Sequence, residues 1–385
     1  MPNIYMLKKI FIIFILLLSL VLANTQAVAQ ENVQADYYQA RVVEIKDIEK
    51  EEVATGLFFA GESQEAKVKI LEGPKKNEET VIEVNALVRN GNENKIESGE
   101  KIIVGFFEEQ NSFFYVDRYR IGPIIWIFVV FLVLVIVLTK RKGFLSILGL
   151  MLSVAVVLLY LVPSIYNGAN PLIVTAITIL TAGIFSFYLA HGFNRRTHVA
   201  LLSAYLTLIL AGIIAVIFTN WAKISGGGTE ETQALQFGAE QAINLKSLYL
   251  AGIMISALGV LDDITTAQSA VVEQLKKANS KLNLKELYTR SLEVGREHIA
   301  SLVNTLAFAY VGSSLPLLLA FSYNNFQPWW LTLNTEILTQ EIVMILVGSM
   351  ALVLSVPISS FLAAKAFASK EFTEQELSQN HHHSH

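Results

Sequence analysis

GFLSILGLMLSVAVVLLYLVPSIYNGANPLIVTAITILTAGIFSFYLA, the stretch Gly143–Ala190, passes without one Asp, Glu, Lys or Arg. Such a run cannot form a water-soluble surface. A spanning helix needs about 20 mostly apolar residues. The stretch therefore reads as two membrane spans, broken near Pro163 and Pro171. Working outward, further apolar runs complete seven candidate spans: Ile121–Thr139, Phe144–Pro163, Pro171–Ala190, Val199–Phe218, Leu245–Ile264, Ile299–Phe321 and Ile342–Ala364. Composition agrees, with 53% hydrophobic and 16% charged residues and a mean hydropathy of +0.48. A soluble domain carries about 25% charged residues. A soluble enzyme is thus excluded for most of the chain. The formal charge of −4 argues against nucleic-acid binding. With no cysteine, disulfides, thiolate metal sites and a thiol nucleophile are excluded.

The basic residues orient the spans. Thirteen Lys and Arg fall in Lys140–Lys142, Arg195–Arg196, the Lys276–Arg296 loop and the tail, against Lys223 and Lys246 on the other side. That places the C-terminus in the cytoplasm and everything before Ile121 outside. An odd number of spans fits this asymmetry. Asp262–His298 reads as a basic, helical cytoplasmic loop, and Gln233–Ile243 as a short interfacial helix.

The first 120 residues differ in character. Lys8 and Lys9, the apolar Ile10–Ala23 and Ala27-Val28-Ala29 form a secretory signal peptide over residues 1–29; an uncleaved anchor is the other reading. Residues 30–120 carry 19 acidic and 12 basic side chains. Their β-rich runs are Ala40–Ile45, Glu65–Leu71, Thr80–Val88, Lys101–Glu108 and Ser112–Asp117. Turn signals such as Gly73-Pro74 and Asn90-Gly91 separate them. Five short strands predict a small OB-like barrel. The whole is an all-α helix bundle of seven spans over residues 121–364, preceded by this extracytoplasmic β domain. A disordered tail, 365–385, ends in His381–His383 and His385, read as outside any metal site.

Ionisable groups inside a span are costly and raise a functional hypothesis by default. The charge-free part of the fifth span, Ser247–Leu261, is too short to cross. Asp262 and Asp263 must therefore sit near the inner leaflet. Helical spacing puts Asp262, Thr266 and Ser269 on one stripe, with Asp263 about 100° away. The alternative is a helix end with both carboxylates solvated. The sixth span opens with Gly295-Arg296-Glu297-His298 and continues through Ser301, Asn304, Thr305 and Tyr310. Arg296, Ala300 and Asn304 share one face; His298, Ser301 and Thr305 share another. Such a stripe is expected to face the bundle interior, with Gly312 and Pro316 weakening the helix midway. Plain helix packing and a structural Arg296–Asp pair are the competing readings. In the turn His191–His198, Arg195 and Arg196 read as orientation signals, and His191 and His198 as turn residues.

These motifs carry a resemblance. Gly259-Val-Leu-Asp262-Asp263-Ile-Thr-Thr266-Ala-Gln268 resembles one hallmark of the YibE/F family of bacterial membrane proteins. Gly295-Arg296-Glu297-His298-Ile-Ala, with Asn304-Thr-Leu, Ala309-Tyr310-Val-Gly312 and Leu315-Pro316, resembles the other. His191-Gly192-Phe193 with Arg196-Thr197 is also similar. Glu297 stands where the family pattern has Asp, which keeps the charge. The resemblance implies a polytopic membrane protein with a transport role and no established substrate.

Three functions follow from the residues. The first is a secondary transporter or permease for an ion or small solute. Asp263 is its first candidate for a cation or proton site with Asp262 beside it, Asn304 and Tyr310 line the pathway, and Arg296 is a counter-charge. The chain has no P-loop and so is no ATPase. The second is a partner or sensor protein with an external binding domain, working with a partner membrane subunit or a second copy. The third is a metal-dependent intramembrane enzyme using Asp262, Asp263, Glu297 and His298. No cofactor is expected, and the metal question stays open.

Overall fold

The computed structural model describes residues 36–48, 63–85, 95–108, 110–238, 242–323 and 328–369. The expected signal peptide and the histidine-rich end of the chain lie outside the described residues. The chain divides into two compact units that part between Leu134 and Val135.

The first unit holds five antiparallel strands: β1 (Asp36–Ile48), β2 (Ser63–Ile70), β3 (Glu79–Asn85), β4 (Lys101–Phe107) and β5 (Ser112–Arg118), in the order β3-β2-β1-β4-β5. Period-two alternation is clearest in the early part of β1 and in β2 and β3, whereas β5 has no fully buried residue. Tyr38, Ala40 and Val42 of β1, Ala66, Val68 and Ile70 of β2, Ile82 and Val84 of β3, and Ile102 and Val104 of β4 form one core. Bulges at Val42/Glu44 and Ile103/Val104 bend the sheet. It curls until Cα atoms of β3 and β5 come within 8 Å, without forming a hydrogen-bonded ladder between them. The one polar group in that interior is satisfied: Gln64 accepts from the Ile96 amide at 2.8 Å and donates to Asp47 at 3.0 Å.

The helices are α1 (Ile121–Val156), α2 (Val162–Tyr166), α3 (Pro171–His191), α4 (Arg195–Trp221), α5 (Glu230–Gly238), α6 (Leu245–Ala278), α7 (Leu284–Ser313), α8 (Leu315–Tyr323), α9 (Trp329–Leu333) and α10 (Glu336–Phe367). Among the described residues, five stretches are long and apolar enough to cross a membrane, or six if the bent pair α7–α8 counts as one. These helices mark a membrane-embedded protein.

The expected first two spans run together as one 46-residue stretch, Ile121–Tyr166. It breaks at Lys140, whose φ of 55° and ψ of −135° leave the helical region. Pro163 does not end a helix here. The wider turn Val157–Leu161 precedes it, with five-residue hydrogen bonding that accommodates a ring lacking an N–H. The expected sixth span is a pair, α7 and α8, bent by 61° at Ser314 between Gly312 and Pro316. The expected basic loop is mostly the continuation of α6 and the start of α7. Asn283 and Glu286 close α7 with reciprocal caps of 3.0 and 2.9 Å. The short helix expected at Gln233–Ile243 begins earlier, at Glu230.

In the second unit α4, α6 and α10 pack on one another, α3 lies against α6 and α4, and α7 lies against α10 and α6. Their contact faces are built from small residues: Ala200, Ser203, Ala204, Thr207 and Ala211 of α4, Ala257 of α6, and Ala351, Ser355 and Ser359 of α10. Lipid tails are as apolar as leucine, so small residues that allow close approach, not oil-driven burial, hold such helices together. Most of their hydroxyls bond back one turn, as Ser203 does to Val199 (2.7 Å) and Ser359 to Ser355 (2.6 Å).

The turn between α3 and α4 is tight. Gly192 takes a φ of 76°, and Asn194 caps α4 through the Thr197 amide at 2.9 Å. Phe193 stacks on Tyr188 at 4.1 Å, and the Tyr188 hydroxyl meets His198 Nδ1 at 2.7 Å. His191 and His198 are thus built into a turn. At the far end of α4, Glu336 Oε1 accepts from the Ser225 amide and hydroxyl (both 2.7 Å) and the Gly226 amide (2.8 Å). Gly226 has a φ of 90°, and a Cβ there would lie 2.3 Å from the Leu245 carbonyl oxygen.

Candidate functional site

The two polar motifs lie on α6 and α7. Asn244 starts α6, its side chain accepting from the Ser247 amide at 2.9 Å. Asp262 falls near the midpoint of this 34-residue helix, which four others surround. Asp262 turns away from α7 and towards α3, where Oδ2 accepts a hydrogen bond from the Ser186 hydroxyl. The second carboxylate oxygen, Oδ1, is buried and has no hydrogen-bond partner. One turn on, the Thr266 hydroxyl is also buried without a partner, as is that of Ser269. Thr265, between them, is satisfied by the Leu261 carbonyl at 2.8 Å. The stripe Asp262, Thr266 and Ser269 is therefore a line of unpartnered polar atoms inside an apolar bundle. Asp263 is exposed, and its charge reaches His191 at the end of α3.

The α7 motif is organised by its glycine. A Cβ on Gly295 would lie 2.4 Å from Val356 Cγ1 and 3.1 Å from the Gln268 amide. Gly295 is where α7 meets both α6 and α10. Gly295 faces inward, whereas Arg296, Glu297 and His298 are exposed, as is Asn304 two turns later. The dense polar stripe thus faces away from its own bundle, contrary to the expectation. The described residues show no Arg296–Asp262 or Arg296–Asp263 ion pair. Tyr310 does face α6, sharing a hydrogen bond with Ser256. Asp262, Glu297 and His298 do not converge, and no group of three His, Asp or Glu side chains among the described residues is placed to hold a metal ion.

Sequence reasoning missed the fastening of α7. Gln268 Nε2 donates to the Ser291 carbonyl at 2.6 Å and the Ser360 hydroxyl at 2.7 Å, uniting three helices, while its Oε1 has no partner. Gln268 stands in the α6 motif itself, and an amide in an apolar helix is the available signal. Ser186 was missed too; one serine within GIFSFYLA carries little signal by itself. Lys276, counted as a loop charge, is 4% exposed and donates to the Ser280 and Leu282 carbonyls at 2.7 and 2.9 Å.

Both motifs, the α3–α4 turn and the surrounding helices lie within residues 127–369, which match the model of the YibE/F-like proteins. The chain belongs to the YibE/F family. The matched region starts inside α1 and ends just beyond α10, so the family's shared part is the helical unit and not the sheet. No curated protein and no solved structure matches the chain.

Proposed function

We propose that this YibE/F-family chain is a membrane permease for an ion or small solute, with Asp262 as its proton- or cation-coupling group. The observation that carries the reading is the buried, unpartnered Asp262 Oδ1 at the middle of the central helix. A charged side chain at the centre of a span costs about 2.5–3.5 kcal/mol on insertion scales, and a carboxylate oxygen that nothing solvates is costly wherever the bundle encloses it. A proton or a cation supplies what the protein withholds. Thr266 and Ser269 extend the same line with hydroxyls free to receive a cation. Asp263, exposed and near His191, is the second group in order, reversing the ranking that sequence alone favoured.

In this reading the break at Lys140 divides Ile121–Tyr166 into two spans, and α7–α8 form one bent span, which makes seven. The N-terminal sheet, an OB-like barrel in its strand order, is outside the cell and the C-terminus is in the cytoplasm. The chain is read as a non-enzyme, because its acidic and imidazole groups point in different directions. A second reading rests on the exposed face of α7. Arg296, Glu297, His298 and Asn304 on a membrane helix call for cover by a partner subunit or a second copy.

The test is flux into proteoliposomes containing a pH-sensitive dye, challenged with a panel of monovalent and divalent cations and small solutes. The permease reading expects a flux that Asp262→Asn abolishes. Absence of flux across the panel, or a flux untouched by both Asp262→Asn and Asp263→Asn, overturns it.

A further inference from the structure

The end of the bundle where α4 begins and α6 and α10 finish holds a cavity of about 300 Å³. It is lined by Arg195 and Arg196 of α4, Glu273 and Lys277 of α6, and Phe367 of α10. Orientation signalling explains arginines at a membrane boundary, but not this geometry. Arg196 folds inward, 3.8 Å from Glu273, and its Nε is buried without a partner. Lys277 approaches the same carboxylate at 3.1 Å. The Arg195 guanidinium sits 6.0 Å from the Phe367 ring. Among the described lining residues one carboxylate faces three cations, a net positive set. The start of α4 adds to it. Asn194 caps the Thr197 amide, and the first-turn amides of Arg195 and Arg196 have no acceptor within the helix.

We propose that this cavity binds the phosphate of an anionic phospholipid headgroup. Guanidinium groups bind phosphate oxygens two at a time, and helix N-termini favour the same charge. Basic pockets between membrane helices are suited to such headgroups. The lipid, rather than a soluble phosphate, is indicated by what continues from the cavity. Leu202, Leu206, Ile209 and Ile213 follow Arg195 along one face of α4, and all four are exposed. A headgroup held at Arg195 and Arg196 leaves its acyl chains along that stripe. This site is separate from the Asp262 region, and neither proposal depends on the other.

Purified full-length protein in neutral detergent is titrated with phosphatidylglycerol, phosphatidylcholine or inorganic phosphate. Binding is read by native mass spectrometry and by thermal unfolding. Phosphatidylglycerol is expected to bind and raise the unfolding temperature, and phosphatidylcholine to do neither. Arg195→Gln, at an exposed position, is expected to weaken phosphatidylglycerol binding about tenfold or more, the loss of a charge-assisted hydrogen bond. Arg196→Lys keeps the charge but loses the fork, and is expected to weaken it less than Arg196→Gln. Equal binding of both lipids, or unchanged phosphatidylglycerol binding in Arg195→Gln, overturns the site. Stabilisation by inorganic phosphate but not by phosphatidylglycerol overturns the lipid assignment in favour of a soluble anion.

Discussion

Replacing Gly295 by alanine tests whether close approach, and not the charges beside it, sets the face that α7 presents. The added Cβ would lie 2.4 Å from Val356 Cγ1. Carbon atoms in contact rest about 3.5–4.0 Å apart, so more than an ångström must be recovered. Moving α7 outward by that distance strains the Gln268–Ser291 bond at one end and the Tyr310–Ser256 bond at the other. Overpacking of this kind costs about 1–3 kcal/mol. The measurement is the unfolding free energy of the full chain in mixed micelles, for Gly295→Ala, Val356→Ala and the double variant. Val356→Ala removes the struck methyl, so the double variant is expected to be more stable than the sum of the single effects, with a coupling of about 0.5–3 kcal/mol. A Gly295→Ala protein within about 0.5 kcal/mol of the wild type, or strictly additive effects, would show that α7 is not positioned by this contact.

Three further outcomes are expected. Lys276→Met keeps the buried stem but loses both carbonyl bonds, so the α6–α7 turn should gain hydrogen exchange at residues 279–283, with stability lower by about 2–4 kcal/mol; unchanged exchange there refutes it. Glu336→Gln leaves neutral acceptors for Ser225 and Gly226. Cleavage of the Ala222–Thr229 segment by limited proteolysis should then quicken, and an unaltered rate would mean that the carboxylate charge is not what pins it. In the sheet, the hydrogen bond and charge of Lys67 hold Glu79 below its ordinary 4.5, and Gln64 does the same for Asp47 against 3.8. Arg120 likewise lowers Asp117. Groups with depressed folded-state values stabilise above the unfolded value and lose that contribution as pH falls through the folded one. Protection of β2 and β3 in the full chain, corrected for intrinsic exchange rates, should therefore hold above about pH 5 and decline towards pH 3. Protection constant over that range contradicts the assignment.

The strands and the apolar runs were legible because each rests on a periodicity or on a long absence of charge. The five predicted strands and the observed ones agree to within a few residues. Helix joins were less legible. Lys140 to Lys142 looked like a loop between spans, yet the chain passes them with a single non-helical residue. Pro163 looked like a terminus, but a wider turn before it absorbs the ring. At the site, the α6 aspartates were found by the cost of their charge. The direction of α7 was not, because a polar stripe was weighed by its chemistry while one hydrogen-only side chain, Gly295, determined the rotation of the helix. Gln268 and Ser186 were passed over for a related reason: their partners lie far away in sequence, and only folding brings Ser360 or Asp262 beside them.

The bond between Ser186 and Asp262 also ties α3 into a helix set laced together by polar contacts. Tyr205 of α4 holds α3 through the Leu180 carbonyl, and Ser153 of α1 holds it through Ala182. On the other side, Gln268, Tyr310 and Tyr249 fasten α6 to α7 and α10. Arg196–Glu273, Asn220–Lys246 and Ser225–Glu336 tie α4 and the loop after it to α6 and α10 at helix ends, whereas Ser186–Asp262 lies five residues inside the last residue of α3. In the permease reading, whatever occupies Asp262 competes with Ser186 for the carboxylate, so its arrival would loosen the tie between α3 and α6.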